Sequence, residues 1–375
     1  MTDSSTETSR PVTLLDLPRQ TAAIRREIDR AIGRVLDHGQ FILGPEVRAL
    51  EERTADYCGT RFAVGCASGS DALLLALMGL GIGRGDRVIT TPFTFFATAG
   101  SIHHLGAIPV FVDIDPVTYN MDPAGLEAAL RTGARAVMPV HLFGLCAEMD
   151  EISAIAAHYG VPVVEDAAQA IGAEYRRKRA GSLACCGCFS FFPTKNLGGF
   201  GDGGFMTTDD PDLAERLRML RVHGSRVKYY HEAVGINSRL DTIQAAILLV
   251  KMSHIEDWTE RRRANAALYR KLLAGSRVQT PVERDGMRHV YNQFTVRAAN
   301  RDAVRRGLAE AGIGSEVYYP LPLHLQQCFA YLGYKPGDFP HSETAAREVL
   351  SLPIEPGLEP ADIEAVCHRL RGLAV

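Results

Sequence analysis

Lysine is scarce in this chain. Of its 41 basic residues six are lysines, at positions 178, 195, 228, 251, 271 and 335, so the other 35 are arginines. An excess of one charge is missing as well: 41 basic against 44 acidic residues leave a net charge of -3, which creates no field suited to nucleic acid or to an anionic membrane. No apolar run reaches the ~18 to 20 residues that a membrane span needs. The polar stretch 1–10 lacks the apolar centre of a signal peptide. A cytoplasmic protein is therefore expected, with neither nucleic acid nor membrane as a partner. The eight cysteines are scattered, and the crowding of Cys185, Cys186 and Cys188 is read as free thiols in a core, not as a zinc pair or a disulfide framework. No metal site is expected.

What is present is a long globular chain. With 375 residues, 46% hydrophobic and 23% charged, two packed subdomains are the prior. Residues 21–36 and 47–57 show helical periodicity. From residue 61 short apolar strands alternate with helices. Strands are expected at 62–66, 87–90, 108–112, 136–140 and 161–165, with two more at 188–192 and 204–207. Helices are expected at 71–80, 94–105, 124–131 and 149–159. Strands apolar on both faces, separated by helices, predict a mostly parallel sheet in a three-layer αβα domain over residues 1–255. Helices at 241–255 and 256–273, a strand at 290–297, and helices at 301–311, 342–350 and 360–370 predict a smaller α+β domain over 256–375. The N-terminal helix is expected to join that smaller domain.

The lysines become informative at Phe189-Ser-Phe-Phe-Pro-Thr-Lys195-Asn-Leu-Gly-Gly-Phe-Gly-Asp-Gly-Gly204. Aromatic surroundings disfavour an ammonium and favour the neutral amine that a Schiff base needs. A structural lysine reaching the surface explains the same residues equally well. Val161-Pro-Val-Val-Glu165-Asp166-Ala-Ala-Gln169 ends a strand on a carboxylate, and ligands in open parallel sheets bind outside the carboxyl ends of strands. Asp166 could pair with a protonated ring nitrogen, or simply cap a helix. Ala67-Ser-Gly69-Ser70-Asp71 opens an apolar helix whose exposed N–H groups suit a phosphate, although capping by Ser70 accounts for it too. Ser190 is a second hydroxyl for an anion. In Thr91-Pro92-Phe93-Thr94-Phe95-Phe96 an aromatic face could stack on a flat heterocycle or fill the core. A lysine, a strand-end aspartate, a phosphate-binding helix start and a stacking aromatic are together the parts of a pyridoxal 5'-phosphate site.

The chain resembles the DegT/DnrJ/EryC1/StrS family of sugar aminotransferases. The resemblance runs from Phe41-Ile-Leu-Gly-Pro45 through Gly69-Ser70, Thr94-Phe95, Glu165-Asp-Ala-Ala-Gln169 and Ser190-Phe-Phe-Pro-Thr-Lys195-Asn-Leu-Gly. It continues through Gly235-Ile-Asn237-Ser-Arg239-Leu-Asp241 to Tyr318-Tyr-Pro-Leu-Pro-Leu-His324-Leu-Gln326. It implies the pyridoxal phosphate-dependent transferase fold type I, the aspartate aminotransferase-like α/β fold. It further implies that Lys195 binds the cofactor aldehyde, Asp166 holds the pyridine nitrogen, Phe95 stacks on the ring and Gln169 lies by its hydroxyl. Gly69, Ser70, Asp71 and Ser190 would hold the phosphate, joined by Asn237 from a neighbouring subunit, so that a homodimer completes each site. Two departures stand out: Ala184-Cys185 replaces a Gly-Asp pair found in many members, and Gln169 stands where many have His.

The activity so implied is transfer of an amino group from L-glutamate to a keto-sugar nucleotide, with a 3-keto, dTDP- or UDP-linked sugar favoured by the 318–326 stretch. Tyr319, His324 and Asn237 are expected near the sugar. The alternatives are a regulatory protein that keeps the cofactor pocket and a sugar dehydratase on the same fold. The dehydratase would carry His in place of Lys195. A nucleotide-sugar oxidoreductase is disfavoured because Gly79-Leu-Gly81-Ile-Gly83 follows a helix instead of a strand.

Overall fold

The computed structural model describes residues 11–374. The stretch 1–10, and with it the signal-peptide expectation, lies outside the described residues. In chain order the helices are α1 (Leu17–His38), α2 (Pro45–Cys58), α3 (Gly69–Gly79), α4 (Ala97–His104), α5 (Leu126–Leu130), α6 (Met149–His158), α7 (Pro211–Leu220), α8 (Thr242–Met252), α9 (Ile255–Leu273), α10 (Arg301–Glu310), α11 (Pro340–Glu348) and α12 (Pro360–Leu373). Their ends follow local chemistry. The Asp16 side chain accepts the amide of Arg19 at 2.9 Å to start α1, and Gly39, at φ 68°, ends it where a side chain would be strained.

Seven strands build the main sheet: β1 (Phe62–Cys66), β2 (Arg87–Thr90), β3 (Ile108–Phe111), β4 (Ala136–Val137), β5 (Val164–Asp166), β6 (Cys186–Ser190) and β7 (Gly204–Thr208). β2 lies between β3 and β4, with parallel pairing on both sides, and β5 pairs parallel with β6. Parallel bridges Val137 to Val163 and Val140 to Asp166 join the two halves. The order is therefore β3-β2-β4-β5-β6-β7-β1, and β7 alone runs against its neighbours, antiparallel to both β6 and β1. This is the mostly parallel α/β sheet that the alternation predicts.

Strand alternation assigns neighbouring residues to opposite layers. Ala63, Ile89, Val137, Val163, Phe189 and Phe205 pack under α2, α5, α6 and α8. Val64, Val88, Ala136, Val164, Cys188 and Met206 face α3, α4 and α7 on the other side. The cysteines follow the same rule. Cys66, Cys186 and Cys188 lie in the second layer, where burial pushes the Cys66 and Cys188 thiols well up and leaves them unreactive. Cys185 is partly buried against the same layer and donates its thiol hydrogen bond to the Val163 carbonyl at 2.9 Å.

A further core gathers Tyr269 and Leu273 of α9, Val304 and Leu308 of α10, and Ile363, Val366 and Leu370 of α12. They cover the antiparallel strands β8 (Phe294–Arg297) and β9 (Val349–Leu352). Helix α9 runs between the cores, with Ile255 in the first and Ala266 in this one. Two expectations change here. The helix expected over 342–350 stops at Glu348, because Val-Leu-Ser-Leu is captured as β9 by pairing with Phe294–Arg297. The N-terminal helix meets the elements around this core at its start, where the Asp16 amide donates to Glu355 at 2.9 Å and Arg19 lies 3.4 Å from Glu359, and Val12, bridged to Ile313, enters the core; its buried face, Ile24 and Ile28, packs instead on Ile247 of α8.

Phe205 is 2% exposed and stacks on Phe189 at 4.4 Å and on Phe191 at 4.9 Å, directly beneath the segment that leads to Lys195. Phe205→Ala should cost about 3 to 5 kcal/mol of stability. Urea unfolding followed by circular dichroism checks it, and a loss below about 1 kcal/mol would contradict this packing.

Candidate active site

The carboxyl ends of β5 and β6 bring the site together. Asp166 is the last residue of β5 and is 4% exposed. Its amide donates to the Pro139 carbonyl at 2.9 Å, and its own carbonyl accepts the amide of His141 at 3.0 Å, so the backbone is fixed on both sides. Its Oδ2 accepts the Thr98 hydroxyl at 2.7 Å and its Oδ1 the Ala168 amide at 3.2 Å. Burial pushes the carboxyl up from its ordinary range, opposed by these two hydrogen bonds and by the charge of Lys195. Asp166 caps no helix.

Lys195 follows β6 in a turn closed by its own amide on the Phe192 carbonyl at 2.9 Å. Desolvation pushes its ammonium down to about 8, and the Asp166 carboxylate pulls the other way. Asn196 locks the turn: its Nδ2 donates to the Val290 carbonyl and its Oδ1 accepts from Asn292, each at 3.0 Å. Behind the turn, Lys251 Nζ donates to the Gly198 carbonyl at 2.6 Å.

The start of α3 lies against β6. Ser68, and not Ser70, is the cap: its Oγ accepts the Asp71 amide at 3.1 Å. That leaves the Ser70 hydroxyl exposed and the first amides of the helix without intrahelical partners. A Cβ on Gly69 would sit 2.6 Å from the Ser190 Cβ, so only glycine lets the helix start approach this serine. The Ser190 Oγ accepts the Phe192 amide at 3.2 Å, which leaves its proton for another acceptor. Amides, two hydroxyls and a helix N-terminus thus converge as an anion cradle. Asp71 fits it least well, since its amide is spent on Ser68 and its side chain is a carboxylate.

Phe93 is fully buried, whereas Phe95 is 57% exposed and borders, with Ser70 and Asp71, a cleft of about 560 Å³. Phe96 stacks on Phe329 at 5.6 Å. Gln169 accepts the Phe143 amide at 2.7 Å and donates from Nε2 to the Tyr319 hydroxyl at 3.0 Å, which fixes the orientation of its side-chain amide. Tyr319, 150 residues away in sequence, stands 6.1 Å from the Phe95 ring and beside Gln169. The structure therefore gathers Asp166, Lys195, Gly69, Ser70, Ser190, Phe95, Gln169 and Tyr319.

Two expected residues stand apart. His324 is 2% exposed, with Nε2 at 3.2 Å from Glu343 Oε1 and its ring packed on Phe339 at 4.8 Å, so that only Nδ1 lacks a partner. Asn237 is exposed and lines a separate cleft of about 550 Å³ with Ile42, Arg239 and Gln244. Arg239, whose buried Nε has no partner among the described residues, is a polar group that the sequence did not single out.

Nor did it single out Thr98 or the pair His141 and Glu165. Both members of the pair are fully buried, 3.0 Å apart, and Glu165 also accepts the amides of Gly181, Leu183 and Ala184 at 2.6 to 2.9 Å. Ala184, the first residue of the departure, meets this carboxylate through its backbone amide. The adjacency of Glu165 and Asp166 was the available signal, because alternation must send one of two successive strand carboxylates to each face.

A lysine and an aspartate at neighbouring strand ends, with an anion cradle at the start of α3, are an arrangement that suits a phosphorylated ring cofactor. The chain matches the DegT/DnrJ/EryC1/StrS aminotransferase family over residues 22–371. It is 52% identical to a "Pleiotropic regulatory protein" of Geobacillus stearothermophilus, covering 96% of this chain and 97% of that one. It is 47% identical to the UDP-2-acetamido-2-deoxy-3-oxo-D-glucuronate aminotransferase of Pseudomonas aeruginosa, covering 96% and 99%. The crystal structure of S. venezuelae DesV in complex with a ketimine intermediate is 46% identical, superposes with a TM-score of 0.96 and covers 98% and 99% of the two chains. The chain belongs to the DegT/DnrJ/EryC1/StrS family of aminotransferases.

Because Lys195 titrates near 8 when folded and at its ordinary 10.5 when unfolded, the unfolded chain binds the extra proton between those values. Its contribution to stability therefore rises with pH across that window. In cofactor-free protein, amine labelling of the Lys195 peptide should reach half its maximum near pH 8, and Asp166→Asn should lower that midpoint by removing the opposing charge. A midpoint near 10.5 would contradict the burial of this amine.

Proposed function

We propose that the chain uses pyridoxal 5'-phosphate to move the amino group of L-glutamate to the carbonyl carbon of a keto-sugar nucleotide, leaving 2-oxoglutarate and an amino-sugar nucleotide. The observation that carries the reading is the Lys195 amine, pushed down to about 8, beside a buried strand-end carboxylate. The residues fit the cofactor: the close approach of Gly69 to Ser190 leaves an anion cradle at the α3 start, and the Phe95 face is open. When bound, the cofactor supplies an electron sink for the pair of electrons left as a carbon–hydrogen bond breaks.

The chain's own groups do the rest. Asp166 keeps the ring nitrogen protonated by pairing with it. Ser70, Ser190 and the amides at the α3 start hold the phosphate, with Gly69 permitting the approach. Phe95 covers the ring and Gln169 meets its hydroxyl. Lys195 Nζ would hold the cofactor covalently and, once freed by the amino donor, would take the proton from the donor's α-carbon and return it beyond the donor nitrogen, two atoms away. An amine that titrates near 8 can serve both as base and as acid near neutral pH. Water would release 2-oxoglutarate, condensation of the retained nitrogen with the sugar carbonyl would give that water back, and Lys195 Nζ moving the proton in the opposite sense would then leave the amino sugar.

A second copy of the chain completes the site in this reading. Asn237 is exposed, and Phe41, Ile42, Leu43 and Phe200 are exposed apolar residues that a partner would cover. Tyr319 and the Nδ1 edge of His324 serve the sugar. Amination at carbon 3 of a UDP- or dTDP-linked sugar is supported by the likeness to the Pseudomonas 3-oxo-glucuronate aminotransferase. The regulatory reading is favoured by the names of two relatives, the Geobacillus protein and a sensory transduction protein of Saccharopolyspora erythraea. The dehydratase reading loses ground to the lysine at position 195.

Lys195→Ala should abolish both the visible absorbance band of the bound cofactor and turnover, and a variant that keeps both would end the assignment. Addition of L-glutamate to cofactor-loaded protein should convert its spectrum to that of the aminated cofactor. An unchanged spectrum would favour a regulator. A panel of keto-sugar nucleotides with glutamate then ranks UDP against dTDP carriers and carbon 3 against carbon 4.

A further inference from the structure

Thr94 and Thr98 lie behind Asp166 at the start of α4, 3% and 1% exposed. Their hydroxyl oxygens are 3.0 Å apart, and Thr98 Oγ1 is 2.7 Å from Asp166 Oδ2. The direction of the protons follows from the inventory of donors. An ionised carboxylate only accepts, so the single Thr98 proton goes to Asp166, and the Thr98 oxygen must accept from Thr94. Two buried hydroxyls thus form an oriented chain that ends on the carboxylate. Bonds in such a chain polarise one another, and a bond to an ionised group is the strong kind.

The remaining contacts leave this bond without a substitute. Oδ1 has one amide, from Ala168, at 3.2 Å. Lys195 acts on Asp166 through charge alone, His141 turns its Nε2 to Glu165, Cys188 shares its layer, and Tyr319 faces it from the 318–326 segment. We infer that Thr98, oriented by Thr94, is a positioning residue that holds Asp166 ionised and aims its Oδ1 outward, so that the carboxylate is ready for a protonated ring nitrogen before that nitrogen arrives. The inference rests on the cofactor reading given above. It assigns the Thr94-Phe95 motif a second task beyond supplying an aromatic face.

The test compares wild type, Thr98→Val, Thr98→Ser and Thr94→Val, each loaded with pyridoxal phosphate labelled with 15N in the ring. Nitrogen NMR across pH reads the protonation of the ring directly. Loss of one charge-assisted bond makes the Asp166 carboxylate roughly 10- to 100-fold more basic. The shared proton of Thr98→Val should therefore move from the ring nitrogen toward Asp166, so that the nitrogen signal on the neutral-pH plateau shifts away from the fully protonated wild-type value. Thr98→Ser should restore the wild-type signal, and Thr94→Val should fall between. A wild-type nitrogen signal in both valine variants overturns the inference. If Thr98→Val fails to fold, Thr94→Val, which leaves the Thr98 hydroxyl and Asp166 in place, decides alone by the same criterion. If wild type takes up no cofactor, it is the cofactor reading that fails. The relay is then judged in the free protein by the 13C titration of the Asp166 carboxyl, whose midpoint should rise in both valine variants and must not stay at the wild-type value.

Discussion

An amine and a carboxylate have to be kept out of water at adjacent strand ends without neutralising each other into a closed ion pair. A buried pair that met directly would gain little and would leave neither group free for a ligand. The sheet resolves this by supplying each group with other partners. Asp166 is held by Thr98 and Ala168, and Lys195 by the backbone of its own turn, so each feels the other only through charge. Both shifts then run toward the uncharged form, and both stop short because the neighbour's charge opposes burial. A flat cationic ring entering between them would satisfy the aspartate and consume the lysine.

Sheet topology makes that separation reproducible. β5 and β6 are parallel neighbours, so their carboxyl ends lie side by side, and β7 returns antiparallel to cover the flank. Beneath them, Glu165 faces the opposite layer and is saturated by His141 and three amides. The His141 tautomer is set by its neighbours: Nδ1 accepts the Ala147 amide at 3.1 Å, so Nε2 carries the proton to Glu165. A carboxylate so fully bonded cannot slide, and a one-residue slip of β5 would exchange the places of Glu165 and Asp166. The register of the sheet and the identity of the site are thus the same fact.

What was readable in the sequence divides along these lines. Elements whose signal is local were legible: the βα alternation, the glycine-rich turn after Lys195, the acidic strand end, the small residues before α3. Groups whose meaning depends on distant partners were not. Thr98 and Asp166 are 68 positions apart, and Gln169 and Tyr319 150. Nothing near position 324 announces that Glu343 takes one edge of that histidine. Short-range ambiguity misled as well. Two serines flank Gly69, and capping chemistry suits either, but the chain reaches its extended conformation at Ser68. Likewise Val349–Leu352 reads as the end of an amphipathic helix until Phe294–Arg297 offers it a ladder.

The scarcity of lysine acquires a physical sense in this setting. Arginine does the ordinary cationic work: Arg288 reaches Glu256 and Glu260, and Arg284 clamps Asp115 and Glu148, in forked contacts that suit a planar guanidinium. A guanidinium is not neutral near physiological pH, so it could not replace a reactive amine. Two lysines, 195 and 251, are both pushed down to about 8 by burial, and a shifted pKa alone would not choose between them. Their surroundings do. Lys251 is 3% exposed, donates a hydrogen bond to the Gly198 carbonyl and lies 4.8 Å from the Phe200 ring centroid, and burial alone pushes its ammonium down. It behaves as a strut for the glycine loop, stabilised by contacts that a neutral amine would largely lose. Lys195 has the open side, the neighbouring carboxylate and the anion cradle. Reactivity here is a property of the company a lysine keeps more than of its proton affinity.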